Sequence, residues 1–316
     1  MARFCFKFYA KIFLTVITNL RKLKIQITTF IMFDHSGNSK LQMQDTFSES
    51  GKILITGGTS GLGLELVRFF LDKGYFVVAT GRQLADKPGS EERFRLYKCD
   101  FSNLRETAGV VKQICDIYDF DYVVYNAGIL SPPGFTVTND GFEYTFQVNF
   151  LAHLLANEII TRKHDPSAPL VIAAVTSMVY RIASHDLKFI QDRTDYRPLK
   201  AYSDSKLYMA LMCRHLAVSN KTRNISFFSF DPGIFGSRIY RMQSGIFKVL
   251  YTIGALFMRK PASIARELAE IMTGSGFISG ETCDRKRRLR KFPEIEPSVS
   301  ESFWKETMHR ISQYLD

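Results

Sequence analysis

The sequence predicts an α/β fold in which a parallel β-sheet is covered by helices on both faces, and three observations predict it. Short, continuously apolar runs alternate along residues 51–284 with longer runs of helical period, as strands buried on both faces do when helices pack on either side. Each interval between apolar runs is long enough for a crossover helix, the connection a parallel βαβ unit needs. A glycine cluster falls between the first apolar run and the first helical one. No internal repeat and no Ser/Gly-rich linker interrupts this stretch, so a single domain is expected.

The first strand is expected at "KILIT" (52–56), a β-rich run that ends at glycines. "LELVRFFLDKG" (64–74) then reads as an amphipathic helix stopped by Gly74. "YFVVAT" (75–80) and "RLYKCD" (95–100) are the second and third strands, "LRETAGVVKQICDIY" a helix, and "DYVVYN" (121–126) the fourth strand. The long amphipathic run "FEYTFQVNFLAHLLANEIITRK" leads to a fifth strand, "PLVIAAVTS" (169–177). A helix starting near Tyr202 and a sixth strand, "ISFFSF" (225–230), follow. Near the C-terminus Trp304, Met308, Ile311 and Leu315 share one helical face and are expected to pack on the core.

With 316 residues and 46% hydrophobic content, the chain can bury a sizeable core, which excludes disorder of the whole. The five cysteines form no C-x-x-C pair, and the six histidines form no ligand cluster. Neither a metal site nor a disulfide framework is expected, and the cysteines read as reduced thiols of an intracellular, cytoplasmic protein. The histidines are expected as surface or packing residues.

The net charge of +11 is concentrated at the periphery. Residues 1–42 carry +6 and "RKRRLRK" (285–291) another +6, leaving the remainder within one charge of neutral. Without aromatic interleaving, neither segment supports nucleic-acid binding, and the 285–291 block is expected as a solvated turn or an anionic-membrane contact. In the basic leader, "IFLTVITNL" is too short to span a bilayer, which needs about 20 apolar residues. Three readings stand: a membrane-surface anchor through 1–33, an organelle-targeting presequence, or a start assigned too early, with Met43 the alternative. The chain thus divides into an extension (1–50), a catalytic domain (51–284) and a basic segment with a C-terminal helix (285–316).

"TGGTSGLG" (56–63) follows the first strand and opens the first helix, so Gly57, Gly61 and Gly63 let the backbone turn tightly and approach a pyrophosphate at the helix N-terminus. Leu64 and Glu65 follow Gly63 where a P-loop would need Lys and Ser/Thr, which excludes an ATPase reading. After the second strand "VVATGRQ" offers Arg82 and no carboxylate. An acid there would hold a ribose 2′-hydroxyl, whereas an arginine suits a 2′-phosphate, so NADP(H) is expected over NAD(H).

"TGGTSGLG", "CD" (99–100), "NAG" (126–128), Asn149 in "VNFLAH", Ser177 in "VTS", "YSDSK" (202–206) and "DPG" (231–233) occur in the order characteristic of the short-chain dehydrogenase/reductase family, which the chain resembles over 51–284. The resemblance implies a Rossmann fold and hydride exchange with a nicotinamide dinucleotide. Gly57, Thr59, Ser60, Gly61, Leu62 and Gly63 would then form the cofactor loop. Asp100 and Phe101 would flank the adenine, and Asn126, Ala127 and Gly128 would wall its ribose. Pro232 and Gly233 would bound the nicotinamide, with Ser237 in place of the family's carboxamide-contacting threonine. Independently, Tyr202 and Lys206 lie one helical turn apart, where an ammonium can bring a phenol of ordinary pKa near 10 toward the working range. Tyr202 is therefore the expected general acid/base, with Lys206 its electrostatic partner and, by resemblance, a ribose ligand. Ser177 would hold the substrate oxygen, and Asn149 resembles the family residue that positions a water behind the lysine.

Ser177 and Tyr202 stand 25 positions apart, about a dozen more than in many family members. That longer connection, "HDLKFIQDRTDYRP", is similar to that of retinol dehydrogenases and protochlorophyllide reductases, and family resemblance further implies dimers or tetramers. Residues 233–263, rich in Phe, Ile, Leu and Met, are expected to form a lid suited to an apolar small-molecule substrate. The expected function is NADP(H)-dependent interconversion of an alcohol and a carbonyl. The alternatives are reduction of a carbon–carbon double bond and a catalytically silent nucleotide sensor.

Overall fold

The computed structural model describes residues 51–83, 92–233, 235, 259–274 and 276–315, all within a unit running from Phe47 to Asp316. The basic leader, most of the 233–263 segment and Ser237 lie outside the described residues. Among the described residues no helix is long and apolar enough to cross a membrane.

Seven strands, β1 (Lys52–Thr56), β2 (Phe76–Gly81), β3 (Phe94–Lys98), β4 (Tyr122–Tyr125), β5 (Leu170–Val175), β6 (Ile225–Asp231) and β7 (Thr282–Asp284), form one sheet in the order β3-β2-β1-β4-β5-β6-β7. Every pairing is parallel. Strand order reverses between β1 and β4, where crossovers leave to opposite sides and a crevice opens beyond the strand ends.

The helices are α1 (Gly61–Asp72), α2 (Leu104–Ile117), α3 (Ala152–Lys163), α4 (Pro198–Ser219), α5 (Pro261–Thr273) and α6 (Pro297–Ser312). A short α-helical turn (Tyr144–Phe146) and a π-helical segment (Gln147–Leu151) run directly into α3. Because side chains alternate across a strand, β1 feeds two cores at once. Ile53 and Ile55 pack with Leu66 and Phe70 of α1 and Ile264 and Leu268 of α5. Leu54 faces the other layer, with Val111 of α2, Leu155 of α3 and Leu207 of α4.

Three local features differ from the sequence reading. Helix α4 starts at Pro198 rather than near Tyr202, because proline fixes a helical φ at a first-turn position while pushing the preceding residue out of the helical region; Arg197 is accordingly extended. Strand β7 is only three residues long, too short to carry a periodic signal. In α6 the face turned most deeply inward is Phe303, Thr307 and Ile311, with Trp304, Met308 and Leu315 half-buried beside it. One residue is about 100° of helix, so the apolar stripe sits one position off the buried one.

The long connection between Ser177 and Tyr202 is fastened at several points. Asp204, buried in α4, accepts hydrogen bonds from the Ser184 amide and from Lys200. The Tyr196 hydroxyl donates to the Pro132 carbonyl, and its ring meets Phe135 edge-on. Phe189 stacks on Phe303 of α6, 5.2 Å between centroids, and Phe303 also meets Phe150 and Tyr208 at 5.7 and 4.7 Å. This aromatic cluster ties α6 to the helix that carries Tyr202 and Lys206. Phe303→Ala should therefore lower stability by about 3–5 kcal/mol, read from denaturant midpoints. Trp304→Ala, which loses chiefly a stack on His215, should cost much less, and an inverted ranking would contradict this packing.

Candidate active site

The C-terminal ends of β1, β2, β4 and β5 open into a cleft of about 690 Å³. Gly57, Thr59, Ser60, Gly61 and Leu62 line it at the start of α1, with Arg82, Asp100 and Phe101 beyond β2 and β3. Asn126, Ala127 and Gly128 line it after β4, and Ser177, Tyr202, Lys206, Pro232 and Gly233 complete it. Gly63 and Asn149 lie behind this wall, and Ser237 is outside the described residues.

The glycine loop leaves space where a ligand would need it. Gly61 has φ +57°, and open space lies where its Cβ would be. At Gly63 a Cβ would stand 2.3 Å from the Gly57 carbonyl oxygen and 2.5 Å from Asn126 Nδ2, so only a bare backbone lets α1 meet the loop. Ser60, the residue before α1, makes no side-chain capping bond, and it lines the cleft with Gly61 and Leu62, at a helix start whose first amides lack intrahelical partners and suit an anion. These residues fit the pyrophosphate of a dinucleotide. Arg82 is exposed at the end of β2. Asp100 shapes its own turn, accepting from the Ser102 amide and hydroxyl through Oδ1, while Asn103, not Asp100, caps α2 by accepting from the Glu106 amide.

At the other end, Lys206 is 4% exposed. Its ammonium donates to the Val175 carbonyl at 3.1 Å and lies 5.9 Å from the centre of the Tyr202 ring. Burial lowers the pKa of Lys206 to about 8. Ser177, two residues beyond β5, is in extended conformation and accepts from the Val179 amide. Asn149 sits in the π-helical segment, where the extra residue per turn re-aims a side chain. Its Oδ1 accepts from the Ile129 amide at 2.8 Å, and its Nδ2 donates to the Ile129 carbonyl and the Ser205 hydroxyl, both at 3.0 Å. Gly128 is pinned between: a Cβ there would stand 3.2 Å from Asn149 Oδ1 and 3.5 Å from Lys206 Nζ.

Sequence reasoning passed over two residues of this assembly, Thr56 and His153. His153 follows Asn149 by one helical turn and is fully buried. Its Nδ1 lies 3.1 Å from the Asn149 carbonyl and its Nε2 3.1 Å from the Thr56 hydroxyl. A carbonyl only accepts, so Nδ1 carries the proton and Nε2 accepts from Thr56. The Thr56 oxygen in turn accepts the amides of Asn126 and Ala127 at 2.9 and 3.0 Å. Burial, reinforced by the Lys206 charge, holds the imidazole neutral, with its pKa lowered to about 3. The single available signal was position, His153 standing at i+4 from Asn149.

Residues 51–244 match the profile of the short chain dehydrogenases. The chain belongs to this family. Among curated relatives it is 28% identical to the WW domain-containing oxidoreductase of Drosophila melanogaster over 63% of this chain and 53% of that protein. It is 27% identical to retinol dehydrogenase 14 of Mus musculus over 60% of this chain and 62% of that one. The match thus spans less than two thirds of either relative. A Serratia marcescens short-chain dehydrogenase/reductase shares the fold with a TM-score of 0.58 at 18% identity, over 74% of this chain and 95% of its own.

The buried ammonium has a measurable signature. With a pKa of about 8 in the folded chain against an ordinary 10.5, the unfolded state binds more protons between those values, so this group adds stability as pH rises through that window. Below it the burial penalty is complete. Lys206→Met should therefore be more stable than the wild type near neutrality by an amount on the order of 3 kcal/mol. That advantage should shrink toward pH 10.5, the ordinary value, in urea titrations of the ligand-free protein. A difference independent of pH would refute the assignment.

Proposed function

We propose that this chain is an NADP(H)-dependent oxidoreductase that interconverts an alcohol and a carbonyl. The observation that carries the reading is the Tyr202 ring over a buried Lys206 ammonium, in the same cleft as the glycine loop and Ser177. A bound nicotinamide dinucleotide would supply or accept the hydride. In this reading the glycine loop and the start of α1 hold the pyrophosphate, and Asn126 to Gly128 wall the ribose. The Ser177 hydroxyl orients the substrate oxygen, and the Tyr202 hydroxyl gives or takes its proton. The Lys206 cation stabilises negative charge on the phenol oxygen as that proton leaves. Asn149, clamped on Ile129 and Ser205, keeps the backbone behind the lysine fixed.

NADP(H) is favoured over NAD(H) because the residues from Thr80 to Gln83 that line the cleft at β2 include Arg82 and no acid. An apolar substrate is supported by Ile129, Tyr144, Val148 and Phe235 in the cleft wall and by Met178, 44% exposed beside Ser177. Retinol, after which the Mus musculus relative retinol dehydrogenase 14 is named, is a molecule of that class.

In a panel of alcohols and carbonyls from small and polar to long-chain and apolar, with NADPH oxidation or NADP⁺ reduction as readout, the apolar members should be turned over best. Tyr202→Phe should lose about 10²–10⁴-fold in kcat while its dinucleotide affinity, from NADPH fluorescence, stays near wild type; full turnover by this variant would end the reading. Separately, Arg82→Ala should weaken NADPH binding about tenfold and leave NADH binding unchanged. Equal losses for both dinucleotides would assign Arg82 another role.

A further inference from the structure

The basic run Arg285–Lys291 lies beyond the family-matched residues 51–244, yet its Arg290 reaches Asp231, which directly precedes the cleft-lining Pro232 and Gly233. Residues after β7 turn back on that strand: the Arg290 amide donates to the Thr282 carbonyl, and Leu289 bridges Cys283. This return places arginines on two buried carboxylates. Asp231 and Asp284 are register partners at the ends of β6 and β7, each 2% exposed. Arg290 reaches both, Nε standing 3.8 Å from Asp231 Oδ2 and Nη2 3.1 Å from Asp284 Oδ2. Arg288 adds a second guanidinium to Asp284. Two like charges on neighbouring strands repel, and the cation shared between them offsets that repulsion.

The remaining contacts of Asp231 point at the cleft. Its Oδ1 accepts the Gly233 amide at 2.9 Å, and the Met178 amide lies near enough to favour its ionised form. Gly233 lines the cleft, and Met178 directly follows Ser177, which lines it too. One carboxylate therefore fixes the Gly233 turn and lies beside the backbone that follows Ser177. We propose that Arg290 is a positioning residue: by holding Asp231 ionised between Gly233 and Met178, it sets the spacing of the Gly233 turn and the Ser177 strand end that the dinucleotide and substrate must fit. The inference rests on the hydride-transfer reading above. The charged and titratable groups that act on Asp231 or feel its charge are Arg290 beyond β7, Asp284 and Cys283 on β7, and Tyr180 of the turn after Ser177. Burial raises the Asp231 pKa and Asp284 adds to that, while Arg290 opposes it.

Four variants test this, Arg290→Leu, Arg290→Lys, Asp231→Asn and the double variant Asp231→Asn/Arg290→Leu, each assayed for dinucleotide affinity by fluorescence, for kcat/KM and for thermal stability across pH. In Arg290→Leu, affinity and kcat/KM should fall about tenfold or more at mildly alkaline pH. The loss should narrow as pH falls, because protonation of Asp231 removes the charge that the guanidinium no longer offsets. The double variant should recover to within about threefold of wild type without that pH dependence, since an amide keeps an acceptor for Gly233 and carries no charge. Should Arg290→Leu not fold, Arg290→Lys, which keeps the charge but not the two-pronged reach, should show the same losses in weaker form. Affinity, kcat/KM and pH profile all at wild-type values in a merely less stable Arg290→Leu or Arg290→Lys would overturn the proposal, as would a double variant no better than the single. A wild-type protein that binds no dinucleotide at any pH would overturn the hydride-transfer reading and this inference with it.

Discussion

A lysine ammonium removed from water has to be tolerated by every group around it, and the Lys206 end of this cleft is arranged by that constraint. Lys206 keeps one short contact to the Val175 carbonyl and otherwise sits where a second positive charge would be expensive. Its neighbours comply. Gly128 presents no side chain toward it, and His153 is held neutral partly by the lysine itself. Asn149 turns its amide to Ile129 and Ser205, which it satisfies completely. The partner able to use the cation is the aromatic ring of Tyr202.

The same region is also a single hydrogen-bonded unit. Thr56 ends β1, His153 belongs to α3, and Asn126 and Ala127 follow β4, so one hydroxyl and one imidazole join the end of β1 before the glycine loop, the π-helical segment and the turn after β4. Each donor has an acceptor, and a fully satisfied buried network specifies one geometry rather than several. The two ends of a ligand as long as a dinucleotide are thereby referenced to a common frame. Asn149, which makes both bonds to Ile129, sits within the π-helical segment.

Much of this was legible from residue order. Strands buried on both faces appear as uninterrupted apolar runs, so β1, β2, β4, β5 and β6 could be placed within a residue or two. The glycine loop and the Tyr202/Lys206 pair are local patterns whose meaning depends only on a strand-to-helix turn or one turn of helix. What could not be read is tertiary. Thr56 and His153 are 97 positions apart and look like a strand end and a packing histidine. Asp231 and Arg290 are brought together by the chain's return past β7, a strand too short to announce itself. The Trp304 stripe does pack on the core, but the deeper burial of Phe303 depends on Phe150, Phe189 and Tyr208, which come together only in the fold.

Strand β7 ends the sheet, and a terminal strand offers a row of unpaired amides and carbonyls on which another polypeptide could build. The returning run covers part of that row with the Arg290 amide and the bridge at Leu289, and it surrounds the rest with exposed Lys286, Arg287 and Arg288. The opposite border, β3, carries Arg95 and Lys98. Both rims are thus armed with cations that a strand from a neighbouring molecule would have to strip of water before pairing, so this sheet resists growth into a fibre from either side.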